Sequence, residues 1–359
     1  MFDWGGNFDR KQRDRALGLF FAVCVSLIWV AASFLVQDLE EKKEGRVHPL
    51  IITYVANSLF LVYLPISKLR KWLFPAKRSN SRSQSKNPGE NDTLFQGPNS
   101  ISNGEEESET DPLFAAIMIA PFWCLAQLCF NLSLAMTSVS SNTILSSSSS
   151  LFTFLLSIWV FKEPFVIERL LSLLLCLAGV VLVMFADESS SAEQSSAVGD
   201  LLAIVAALFY AIYTILLKKM LPPDDKVDMT LFFGYMGLGI SVILGCTVWS
   251  LHGMGVIDAT ITREALGKTI VKGLFDNVLS DYLWARAILL IGPTIATVAL
   301  SLQVPFALIP EVMLKHPKWA MNSGSIFLMI SGTVAVLAGF FDINMEVSMF
   351  TRCWRCYVK

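Results

Sequence analysis

Ten apolar stretches, each long enough to cross a lipid bilayer, follow one another along this chain, broken by short polar punctuation and one polar insert between Arg70 and Pro112. A helix crossing the hydrocarbon core needs roughly 20 mostly apolar residues at about 1.5 Å rise each. Spans are read at Ala16 to Val36, Pro49 to Ile66, Leu113 to Leu134, Val139 to Phe161, Leu170 to Ala186, Leu201 to Leu217, Met229 to Leu251, Gly273 to Gly292, Pro293 to Pro310 and Ser323 to Phe341. The composition agrees, with 54% hydrophobic and only 16% charged residues and a mean hydropathy of +0.56, far from a water-soluble domain. The chain is therefore expected to be an all-α membrane protein with ten transmembrane helices. Its first stretch has too long an uncharged run for a signal peptide and no clear small-residue cleavage site, so it is read as a retained helix.

Basic residues near span ends stay cytoplasmic, which fixes direction. With the N-terminus inside, the cytoplasmic segments carry 19 Lys and Arg and the opposite side 8, so both termini are expected in the cytoplasm. The insert begins basic, turns rich in Ser and Asn and finishes with Glu105, Glu106, Glu107, Glu109 and Asp111. Such a composition cannot bury enough apolar surface to offset its ordering entropy, so residues 70–112 are expected to be a disordered cytoplasmic loop. The Asn91-Asp92-Thr93 sequon within it would never meet the lumen. A glycan on Asn91 would overturn this orientation.

Five spans precede the loop Asp187 to Gly199 and five follow it. An odd number per half means that, as repeats, the halves enter the membrane in opposite directions, the plan by which secondary transporters expose a midplane site to either side. The expected organisation is a cytoplasmic segment 1–15, a first repeat 16–186 containing the loop, a second repeat 200–343 and a cytoplasmic tail 344–359.

The eighth span is the foremost site candidate, because Asp276, Asn277, Asp281 and Arg286 interrupt an otherwise apolar run. A charge at the bilayer centre costs at least about 2.5–3.5 kcal/mol on insertion scales, so such residues face a cavity or a partner. Asn277, Asp281 and Trp284 share one helical face, whereas Arg286 lies roughly 140° from Asp281. They read as a polar cavity wall for substrate or a coupling proton, or as interhelical hydrogen bonds near a span end. The fourth span carries Asn142, Thr143 and Ser146 in an unusually hydroxyl-rich run, which lines a hydrophilic path or serves close packing with bonds to its own carbonyls. Tyr210, Tyr213, Tyr235 and Trp29 stack on a planar substrate or anchor spans at the interface. Lys218, beside Lys219, draws an anionic solute to the mouth or enforces orientation. Gln303, two residues before Pro305, lies where proline frees a backbone carbonyl. Asn57 and Asn131 carry the same divided reading. Gly237, Ser241 and Gly245 in the seventh span and Ser331, Ala335 and Gly339 in the tenth form small-residue stripes for close packing, the latter also suited to a homodimer.

Enzyme chemistry finds little support. Gly267-Lys268-Thr269 ends like a phosphate-binding loop, but Thr262 stands where that motif requires glycine. Three histidines near span ends suggest no metal centre, and the seven cysteines follow no ligand or disulfide spacing. Cys353 and Cys356 in the tail read as a palmitoylation site or as inert. No cofactor, metal or nucleic-acid partner is expected.

Three segments carry a family resemblance. Asn142 to Ser147 leading to Phe161-Lys162-Glu163-Pro164-Phe165 resembles the fourth-to-fifth span hairpin of the drug/metabolite transporter superfamily. Gly199 to Ala203 followed by Tyr210 to Thr214 and Lys218-Lys219 resembles the start of its second EamA-type repeat. Asp276 to Ala287, then Thr297 and Gln303-Val304-Pro305, is similar to the F-type branch of solute carrier family 35. The resemblance implies a ten-helix fold of two inverted five-helix repeats around a central cavity, and a secondary transporter of a small polar organic metabolite in an intracellular membrane, Golgi or vacuolar. Exchange of a nucleotide sugar or nucleotide is the alternative within that fold; a non-transporting receptor or scaffold acting through loop 70–112 is the alternative outside it.

Overall fold

Polar caps and proline set where several of the helices begin. The structure, a computed structural model, describes residues 4–41, 49–73, 111–137, 139–186, 196–221, 228–257, 261–314 and 323–344. Most of loop 70–112, with Asn91, and the tail beyond residue 344, with Cys353 and Cys356, lie outside the described residues. The first span is α1 (Trp4–Glu41), and the second is α2 (Pro49–Ser58), a 3-10 turn (Leu59–Val62) and α3 (Tyr63–Leu73). The third, α4 (Pro112–Met136), starts on Pro112 with the Asp111 carboxylate accepting from the Leu113 amide at 3.0 Å. Proline lacks the N–H that a helix start leaves unpaired, so it costs nothing there. The fourth is α5 (Val139–Ser147) and α6 (Ser149–Phe161), and the fifth is α7 (Ile167–Ala186).

The second half runs α8 (Ala197–Met220), α9 (Met229–Gly253), α10 (Arg263–Gly273), a π turn (Leu274–Leu279), α11 (Ser280–Ile291), α12 (Pro293–Ala299), a 3-10 turn (Leu300–Leu302), α13 (Gln303–Leu314) and α14 (Ser323–Asn344). Asp228 caps α9 through the Leu231 amide and also meets Arg70 at 2.6 Å, tying the second and seventh spans at one end. Gly292 adopts φ +85° between α11 and α12, a left-handed conformation that lets Pro293 open a new helix at once. Nine helical spans of the described residues are long and apolar enough to cross a membrane. The remaining span, the eighth, from Arg263 through Ile291, is equally long but carries Lys272, Asp276, Asp281 and Arg286.

The packing pattern reveals the repeat. The first span packs on the eighth (α1 on α11) and the third on the sixth (α4 on α8), while the second meets the seventh, the fourth the ninth and the fifth the tenth. Exchanging each span for its counterpart five further on leaves this set unchanged, as two inverted five-helix units require. The fourth and ninth, counterparts in that exchange, are both interrupted in mid-course.

The small-residue stripes pack within the chain. A Cβ on Gly237 would lie 2.5 Å from Phe60 Cβ, so α9 presses directly on the 3-10 turn of the second span. On α14 the packed face is Gly332, Val336 and Gly339, one step round from the Ser331 side, and it is occupied by α7: a Cβ on Gly179 would meet the Gly332 carbonyl at 2.6 Å.

Candidate functional site

Where α1, α3, α4, α8 and α11 converge, aromatic rings from both halves form a box. Trp284 of α11 stands 6.2 Å from Tyr210 and 6.3 Å from Trp29, ring centre to ring centre. Tyr210 is 5.9 Å from Tyr213, and Trp123 of α4 closes on Tyr213 at 4.7 Å. Tyr63 stacks on Tyr282 at 5.9 Å and meets Phe233 at 5.7 Å, and Phe60 lies 6.5 Å from Trp123. Asp281 is 2% exposed at this junction, one helical turn before Trp284.

Three tryptophans in the box separate structural from unsatisfied polarity. Trp29 Nε1 donates to Ser280 Oγ at 2.8 Å, and Trp123 Nε1 donates to Asn57 Oδ1 at 3.0 Å, with Asn57 itself anchored on the Thr53 carbonyl. Among the described residues, Trp284 Nε1 has no partner, and neither have the hydroxyls of Tyr210 and Tyr213. Each such buried group costs about 1–3 kcal/mol. Asp281 likewise has no hydrogen-bond or ion-pair partner among the described residues. Three orphaned polar atoms around an unpaired acid destabilise the fold on their own, so their placement needs a reason outside folding.

The backbone at this point is irregular. The π turn carries Asp276 and Asn277, and single π turns recur at functional sites because they re-aim the side chains that follow. Tyr63 donates to the Val278 carbonyl at 2.6 Å, and Ser280 Oγ donates to the Asp276 carbonyl, so backbone polarity around the turn is satisfied. Asp276 pairs with Lys272 at 3.1 Å one helical turn away. Asn277, Asp281 and Trp284, placed on one face by their spacing, are all buried together, at 8%, 2% and 0% exposure.

Other candidates settle elsewhere. Arg286, half-buried, puts its guanidinium 5.7 Å from the Phe21 ring and 6.0 Å from the Tyr282 ring, between α11 and α1. Lys218 Nζ donates to the Leu289 carbonyl. Pro293 stands four residues beyond Leu289 and offers no N–H, so Lys218 supplies the donor that the chain lacks. Asn142 donates to the Phe130 carbonyl and to Ser133 Oγ, at 3.4 and 3.3 Å, and Ser146 bonds back to the Thr143 carbonyl. That group lies near Gly199 at the start of α8, whereas Tyr210 and Tyr213 are three to four turns further along. Tyr235 is half-buried against the central cluster, and its neighbour Phe233 makes the ring contacts. Gln303 opens α13, which packs on α1 and α14.

Sequence reasoning omitted Trp123, Tyr63, Phe60, Phe233 and Tyr282 from the candidates. Their only signal is an aromatic ring in a span, and nothing local says which of many rings turns toward the other half.

Comparison with known proteins places the chain. The model of the EamA-like transporter family matches residues 16–185 and again 197–341, one match per half. An uncharacterized transporter of Schizosaccharomyces pombe is 30% identical over 92% of this chain and 95% of its own length. An uncharacterized vacuolar membrane protein of Saccharomyces cerevisiae is 28% identical over 91% and 90%. Solute carrier family 35 member F5 of Mus musculus is 32% identical over 62% of this chain, which spans only 42% of that relative. With both halves matched in the order that the helix pairing requires, this chain belongs to the EamA-like transporter family.

Proposed function

We propose that this protein is a secondary transporter that carries a small polar organic metabolite across an intracellular membrane by alternating access. The carrying observation is the box itself: a buried, unpaired Asp281 with three unpartnered polar atoms, assembled from both halves at their mutual interface. A site shared by two inverted units is exposed to one side or the other when the units rock about it. Asp281, Trp284, Tyr210 and Tyr213 form the solute site in this reading, with Asn277 beside them. Arg286, Gln303, Asn142, Thr143, Ser146, Tyr235 and Lys218 act by shaping or supporting the helices around it. The named similarity to a yeast vacuolar membrane protein supports an endomembrane location.

Reconstitution tests this. Purified protein in liposomes is assayed for counterflow against a panel of metabolites, including nucleotide sugars with nucleoside monophosphates. Saturable uptake that Asp281→Asn removes, with the variant still monodisperse, supports the reading. A cellular phenotype that survives Asp281→Asn but vanishes when residues 74–110 are deleted would overturn it in favour of a scaffold.

A further inference from the structure

Building on the transport reading, we propose that the box selects a flat organic cation: an N-alkylated or protonated heteroaromatic ring. Charge makes the first selection. Asp281 shares its face with Asn277 in the π turn and Trp284 one turn on, Trp29 and Tyr210 lie against Trp284, and Tyr213 and Trp123 lie beyond Tyr210. None is a cation. The basic groups on the neighbouring turns make other contacts: Lys272 pairs with Asp276, Lys218 donates to the Leu289 carbonyl, and the Arg286 guanidinium lies at the Phe21 and Tyr282 rings. A phosphate-bearing or carboxylate solute would meet a like charge with no compensating side chain, and a neutral one would leave Asp281 unpaired.

The rings make the second selection. Trp, Tyr and Phe faces attract cations through their quadrupoles, most strongly where water is excluded, and two of the rings here, Trp284 and Tyr213, are fully buried. Tyr210 and Trp284 lie within 23° of parallel, the geometry that grips a planar ring edge or face as the helices part. The third selection is polar. The Trp284 N–H and the hydroxyls of Tyr210 and Tyr213 remain open to a substituent oxygen or nitrogen on that ring, which would satisfy the three polar groups of the box that have no partner among the described residues.

Three probes of nearly equal size and shape isolate charge: 1-methylnicotinamide (cation), nicotinamide (neutral) and nicotinate (anion). Binding to the full-length protein in lipid nanodiscs is read by quenching of tryptophan fluorescence. The cation is expected to bind about tenfold or more tightly than the neutral amide, with nicotinate weakest. Asp281→Asn is expected to erase the cation's advantage, so that 1-methylnicotinamide binds no more tightly than nicotinamide. Trp284→Phe, which keeps a ring but removes the N–H, is expected to weaken both amides together and preserve the charge order. Equal binding of all three, preference for nicotinate, or no quenching by any of them overturns the proposal. Liposome counterflow separates the two readings: charge selection without solute movement sinks the transporter and keeps the cation site, and movement without charge selection does the reverse.

Discussion

Two aspartates, each 2% exposed, sit in the membrane-spanning body of this protein in opposite circumstances. Asp342 on α14 lies against α7, where Ser172 Oγ donates to its carboxylate, amid glycines so close that Cβ atoms would collide with the facing backbone. Asp281 on α11 lies among aromatic rings, unpaired, beside hydroxyls and an indole N–H that are themselves unpaired. A buried acid that is satisfied can hold helices together, whereas one left open costs stability and marks a candidate site. In the proposed reading, the α7–α14 pair holds the fold together and the central junction is its working part.

The largest effect is expected at the centre. Asp281→Asn should lower solute uptake about a hundredfold, or about 2.7 kcal/mol in kcat/KM, with no loss in the thermal midpoint of the purified protein. A drop in midpoint matching the loss of uptake would make Asp281 structural and erase the contrast with Asp342. At the periphery the signs exchange: Gly179→Ala should cost about 2 kcal/mol of stability, read as an earlier loss of monodisperse protein on heating, because its Cβ has no room beside the Gly332 carbonyl. Its effect on KM should be negligible. Ser172→Ala should cost about 1.5 kcal/mol by withdrawing a donor from buried Asp342, again without changing solute selectivity in the counterflow panel. Smallest is Tyr213→Phe, which removes an orphaned hydroxyl; the thermal midpoint should hold or rise by the equivalent of about 0.5 kcal/mol while solute binding weakens. A marked fall in stability there would show that the hydroxyl has a structural partner after all.

Much of the architecture was legible in sequence because a bilayer enforces it. Without water to satisfy backbone groups, every crossing must be a helix of a narrow length range, so the apolar stretches translate directly into spans. The charged eighth span was visible for the complementary reason, that Asp276, Asp281 and Arg286 have no business in lipid without a partner or a site. Spacing alone also put Asn277, Asp281 and Trp284 on one face, and the structure buries all three. What spacing could not do was separate them from Arg286, which leans on Phe21, or from Lys218, whose role depends on a carbonyl 71 residues away that Pro293 leaves without a donor.

Sequence by itself determined the number of crossings and the presence of five-span halves, because hydropathy is a local property. Only the tertiary structure decided which polar groups stay unsatisfied. Trp29, Trp123 and Trp284 are the same residue in three spans, and what distinguishes the third is that Ser280 and Asn57, from other helices, reach its two companions and nothing reaches it. Satisfaction is a property of pairs brought together by packing, so no single helix carries that information in its own sequence.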